Sequence, residues 1–82
     1  MKVIRIEEVW CSSCLIMKSR IQELLKEKNI EWISMNYEES EKVRKQYHIN
    51  EDILPIYIRE DTGSILVGET NKKEILNFFE EI

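Results

Sequence analysis

Cys11 and Cys14, separated by Ser12 and Ser13, form the one pattern in this 82-residue chain with an evident chemistry. Two thiols at that spacing can pass between dithiol and disulfide, or can ligate a soft metal. The pair lies where a β-branched segment gives way to a helical pattern. A helix start presents amides without partners and the positive end of the macrodipole, and both favour a thiolate over a thiol. Cys11, at that edge, is expected to meet solvent and act as the nucleophile. Cys14, one turn inside, is expected to be less accessible and to resolve. Thiol–disulfide exchange requires one activated sulfur with a second within reach.

The flanking elements follow from hydrophobic spacing. Val3 to Trp10 reads as a strand, with Ile4 and Ile6 alternating with charged residues. Leu15 to Lys28 has helical spacing through Met17, Ile21, Leu24 and Leu25, with Asn29 as a terminator. Ile30 to Tyr37 is a second strand. A short helix begins near Ser40, which can cap its first turn, and carries Val43 and Tyr47 as an i,i+4 apolar pair. His48 to Leu54 is a connection. Pro55 to Ile58 and Ile65 to Val67 are strands joined by a hairpin turn at Asp61-Thr62-Gly63-Ser64. Gly68 ends the fourth strand. A last helix runs from Asn71 to the C-terminus, with Asn71 and Glu74 as a capping pair and Ile75, Phe78 and Phe79 as its buried stripe. The order is β-α-β-α-β-β-α, an α/β class, in one domain over residues 1–82. The first two strands need a crossover and should be parallel, and the last two share a hairpin and must be antiparallel.

Composition excludes several functions. Twelve basic residues against 16 acidic ones leave a net charge of −4, which argues against nucleic acid and anionic membrane as partners. Two cysteines cannot form the multi-bridge framework of a small secreted scaffold. The longest apolar stretch, Ile53 to Ile58, is far below a membrane span, and Arg5, Glu7 and Glu8 interrupt any leader-like start. The expected location is the cytoplasm.

Trp10-Cys11-Ser12-Ser13-Cys14, Pro55 at the third strand, Val67-Gly68 closing the fourth and the element order together resemble the thioredoxin superfamily over nearly the whole chain. The resemblance implies a minimal thioredoxin fold, a four-stranded mixed sheet with helices on both faces. It also implies a cis Leu54–Pro55 bond facing the cysteines and a substrate surface formed by Trp10, Leu54, Pro55 and Gly68. Cys11 and Cys14 would be catalytic, Ser12 and Ser13 would tune them, and no metal or organic cofactor would be needed. The partners implied are protein disulfides and an external reductant acting on a monomer. Glutaredoxins, similar in size, usually carry a Pro-Tyr-type pair between the cysteines, Thr-Val-Pro at the third strand, and Gly-Gly with acidic residues before the last helix. Here those stretches are Ser12-Ser13, Ile53-Leu54-Pro55 and Val67-Gly68-Glu69-Thr70. Thioredoxin reductase is therefore the expected electron source, with glutathione the alternative. The chain departs from thioredoxins in having Ser12-Ser13 for Gly-Pro. It also has Arg5, six positions before Cys11, where they bury an Asp that relays the proton of the second cysteine. Glu7 and Glu8 are loose substitutes.

Plainer readings compete. A closed zinc site needs four ligands, and only His48 is available beyond the pair. The alternative from another class is a fold that serves only for partner docking or metal delivery. Lys18, on the helix face of Cys11, reads as a solvated residue, His48 as a helix end, and Trp32, Met35, Phe78 and Phe79 as core.

Overall fold

Alternation along the first strand, β1 (Lys2–Ile6), sends Ile4 and Ile6 to one side of a sheet and Val3 and Arg5 to the other. The computed structural model describes residues 1–26, 29–50 and 52–80. In it β1 pairs in parallel with β2 (Glu31–Met35), in the register Val3↔Trp32 and Ile6↔Met35. On its other side β1 runs antiparallel to β3 (Ile56–Arg59), and β3 pairs with β4 (Ile65–Val67) through the hairpin. The strand order is β2-β1-β3-β4. With α1 (Ser12–Leu24), α2 (Glu41–Gln46) and α3 (Lys72–Glu80), this is the thioredoxin-like β-α-β-α-β-β-α topology.

Each face of the sheet carries its own core. Val3 and Tyr57 pack with Met17, Ile21 and Leu25 from the first helical segment and with Ile75, Phe78 and Phe79 of α3. On the other face Ile4, Ile6, Ile56 and Ile58 cluster with both cysteines, Ile49 and Leu54, and Val43 and Tyr47 of the α2 segment pack against them. Helices thus cover both faces, which is why all four residues of β3 are buried. Fully burying side chains such as Ile75 and Phe79 contributes about 1.5–3 kcal/mol each. Among the described residues, no helix is long and apolar enough to cross a membrane.

Several boundaries differ from the sequence reading. β1 stops at Ile6 rather than Trp10. The Glu7 N–H still reaches the Met35 carbonyl at 3.0 Å, but the chain then turns, closed by the Cys11 N–H on the Glu8 carbonyl at 3.2 Å. α1 starts at Ser12, not Leu15. It also ends earlier than the expected Lys28: Leu24 is its last residue and Leu25, at φ −118° and ψ 33°, its C-cap. Lys28 itself, and the expected run of α3 through Glu81 and Ile82, lie outside the described residues. β2 is shorter than Ile30 to Tyr37, because the Tyr37 N–H donates to the Glu8 carboxylate at 3.0 Å instead of to a strand. Ser40 does not cap α2. Its backbone, at φ −90° and ψ 5°, is outside the extended conformation that points a hydroxyl at the first-turn amides. The buried hydroxyl instead donates to the Tyr37 carbonyl at 2.7 Å and accepts from Arg44 Nε at 2.8 Å. Asn71 does cap α3, accepting from the Glu74 N–H at 2.9 Å.

Besides the packing of Tyr57 on Phe79, a buried arginine ties the β3–β4 hairpin to α3. Buried Arg59 donates to the Phe78 carbonyl at 3.0 Å and forks onto Asp61, holding that carboxyl below the usual carboxylate range. At the end of α2 the His48 N–H donates to the Lys45 carbonyl and the Ile49 N–H to that of Arg44, which satisfies two terminal carbonyls. That closure needs the left-handed conformation at His48, where φ is 57°. Glycine adopts it without the clash of a Cβ. His48→Gly is therefore expected to stabilise the fold by about 0.5–1 kcal/mol, read as a higher denaturation midpoint at unchanged slope in urea. A lower midpoint would show that the imidazole contributes more than the backbone costs.

Candidate functional site

Cys11 is the residue just ahead of α1, and its backbone is extended, at φ −90° and ψ 107°. That conformation turns Sγ back over the first turn, where it accepts from the Cys14 N–H at 3.1 Å. The sulfur takes one of the amides that the helix cannot satisfy for itself. No acidic side chain lies in this first turn, so the positive end of the helix acts on the sulfurs unopposed from within the helix. Cys11 and Cys14 are joined as a disulfide with Cα atoms 5.2 Å apart, a span within the usual range for such a bridge. In the reduced protein the same amide would bind a Cys11 thiolate more strongly than a neutral sulfur.

The expectation that Cys11 meets solvent and Cys14 is less accessible holds in its order, but Cys11 too is largely buried. Its exposure is 7% and that of Cys14 is 2%, because both cysteines belong to the core on the sheet face that carries Ile4 and Ile6. Access comes through clefts, and the two cysteines line different ones. Cys11 lines a cleft of about 270 Å³ with Trp10, Ser12, Ser13, Asp52 and Leu54. Cys14 lines another with Glu7, Val9, Lys18, Met35 and Glu39. The surroundings are unusually apolar for a surface. Val9 is 96% exposed, Trp10 74%, Leu15 64% and Ile53 55%, a concentration that marks interaction sites on soluble proteins.

Leu54 joins both cysteines in one hydrophobic cluster. The Leu54–Pro55 bond is cis and Pro55 is fully buried. Among the described residues nothing hydrogen-bonds the backbone of Leu54, whereas the Pro55 carbonyl accepts from the Gly68 N–H at 2.8 Å. Gly68 has φ 77°, and a Cβ there would lie 3.2 Å from the Ile53 side chain. It braces the loop that carries Leu54 and Pro55 from behind. Ser12 is exposed and Ser13 half-buried.

Glu7, Glu8 and Glu39 all line the Cys14 cleft together with Lys18. Glu8 is occupied, accepting from the Tyr37 N–H, and Glu39 accepts from the Asn36 N–H. Arg5, at the position of the missing Asp, is 7% exposed and stacks on Trp32 with its guanidinium carbon 4.1 Å from the ring centroid. Sequence reasoning noted Arg5 but missed its burial. Its parity with Val3 on β1 was the available signal. Asp52, Val9 and Ile53 were also missed, since irregular segments carry no periodicity. His48 is used by the end of α2, and no three metal-binding side chains converge among the described residues. A scan against protein-family models finds no match to this chain, and a search of curated proteins finds none either.

Two stability measurements test the architecture of the site. With the disulfide absent from both, Cys11→Ser keeps a capping atom that Cys11→Ala lacks, so the serine variant should be more stable by about 1 kcal/mol; equal denaturation midpoints would mean that the cap contributes nothing. Gly68→Ala should cost about 1–2 kcal/mol for its left-handed backbone, with the contact to Ile53 adding to that loss.

Proposed function

We propose that this protein is a thiol–disulfide oxidoreductase that reduces protein disulfides through the Cys11–Cys14 couple. The observation that carries the reading is the capping sulfur of Cys11, bonded to Cys14 across the first turn of α1 in a thioredoxin-like fold. In the forward reaction the Cys11 thiolate attacks one sulfur of a partner disulfide. A Cys11–partner bond forms, the partner's own S–S bond breaks, and the released thiolate takes a proton from water. Cys14 loses its proton and attacks the Cys11 sulfur. The second partner thiolate leaves, and the two electrons lost by the dithiol now reside in the reduced partner.

Cys11 is the attacking residue because it lines the cleft beside Trp10 and Leu54, where an extended segment can lie. The Leu54 backbone, without a hydrogen bond among the described residues, offers that segment a strand-like edge. Glu7 would receive the Cys14 proton: of the three carboxylates lining the Cys14 cleft, Glu8 and Glu39 already accept from backbone N–H groups, which supports Glu7 as the acceptor.

A flavin-dependent thioredoxin reductase is the favoured electron source. The segment that would cradle glutathione is already engaged. The Gly68 N–H serves Pro55, the Thr70 N–H lies 3.3 Å from Met17 Sδ, and Glu69 pairs with Arg20 at 3.2 Å. Few backbone donors are left there for a tripeptide.

Cys14→Ser should accumulate a covalent adduct with disulfide-bearing proteins, because the resolving thiol is gone, and Cys11→Ser should accumulate little. Non-reducing gels of the two variants after incubation with a disulfide substrate read this out. Capture through Cys11→Ser alone would reverse the roles, and no capture by either would remove the oxidoreductase reading.

A further inference from the structure

A third cleft, of about 300 Å³, lies between α1 and the β1–β2 edge of the sheet. Its floor holds Arg5, and its rim holds Lys18, Gln22 and Lys26. The remaining wall is apolar, formed by Ile21, Leu25, Ile30 and Trp32. Among the described residues no acid lines it.

Arg5 is out of place for a structural residue. It is 93% buried, since its exposure is 7%. Its Nε has no hydrogen-bond partner, and no carboxylate among the described residues ion-pairs with it. Glu7, just past the end of β1, lines the Cys14 cleft and makes no ion pair with Arg5, though its charge reaches Tyr57. Tyr57 offers no counter-charge either: burial pushes its phenol up, the adjacent Arg5 guanidinium pulls the other way by charge and by the approach of its donors, and Glu7 adds to the rise, yet no donor meets the hydroxyl at hydrogen-bond geometry. Stacking on Trp32 at 4.1 Å offsets part of the cost of burying the cation. A buried guanidinium is strongly favoured only when its donors are also met, and its planar fork matches a carboxylate.

We infer that this cleft binds a small organic carboxylate, its anionic end on Arg5 with Lys18 and Lys26 at the rim, and its apolar body against Trp32, Ile30 and Leu25. Charge selects the anion, and the apolar wall selects an organic body over a bare inorganic ion. The site is distinct from the Cys11 cleft and does not depend on the thiol chemistry.

The chain has two tryptophans, so Trp10→Phe leaves Trp32 as the single indole reporter. Sodium benzoate, titrated into this variant at constant ionic strength, should change the Trp32 emission saturably in the millimolar range. Benzyl alcohol, of like shape but neutral, should not. Arg5→Met in the same background should weaken benzoate by about tenfold or more, the scale of a hydrogen bond to a charged group. Lys26→Gln, on an exposed side chain, should weaken it a fewfold. Equal responses to benzoate and benzyl alcohol would overturn the inference. So would saturation by inorganic phosphate without any by benzoate, or unchanged benzoate affinity in a folded Arg5→Met protein. Should Arg5→Met not fold, Lys18→Gln with Lys26→Gln decides: undiminished affinity there overturns the site.

Discussion

A helix cannot satisfy the amides of its own first turn, and in this protein a cysteine sulfur answers one of them. That bond sets the entry of α1 and places the reactive atom at the positive end of the helix, within reach of the second sulfur. The same sulfur is both structural cap and redox atom. Each change in its oxidation state is therefore felt by the first turn of the helix. The apolar faces of α1 and β1 then need only hold that turn against the sheet.

The second constraint is the central position of β1. Pairing with β2 on one side and β3 on the other leaves both of its faces covered, so its two sets of side chains serve two cores. Ile4 and Ile6 share a cluster with the dithiol, while Val3 packs beneath α1 and α3. Arg5 falls on the α1 side by parity alone, and a cation in that setting must find an aromatic face or an anion.

The alternation and helical spacing were strong enough in the sequence to name all seven elements in order, and the CxxC at a strand–helix junction to name the dithiol. Element ends were less legible. β1 was read four residues too long because Val9 and Trp10 are apolar, yet they are apolar for exposure beside the cysteines rather than for pairing. Ser40 was read as a cap from its type, but the Tyr37 carbonyl and Arg44 compete for its hydroxyl, a tertiary fact with no local signature. The cover over Cys11 was illegible for the same reason: it is contributed by Leu54 and its neighbours, far along the chain.

That distance has a consequence for synthesis on the ribosome. Cys11 and Cys14 emerge with β1, α1 and β2, elements that can begin to associate, but the strand that completes the cover is β3, preceded by Leu54 and Pro55. Until it arrives, the face of Ile4 and Ile6 is open and both thiols stand bare on the nascent chain. The young polypeptide is thus more vulnerable to oxidants and stray thiols than the finished protein, and completion of the sheet is also what confines the sulfurs to their clefts.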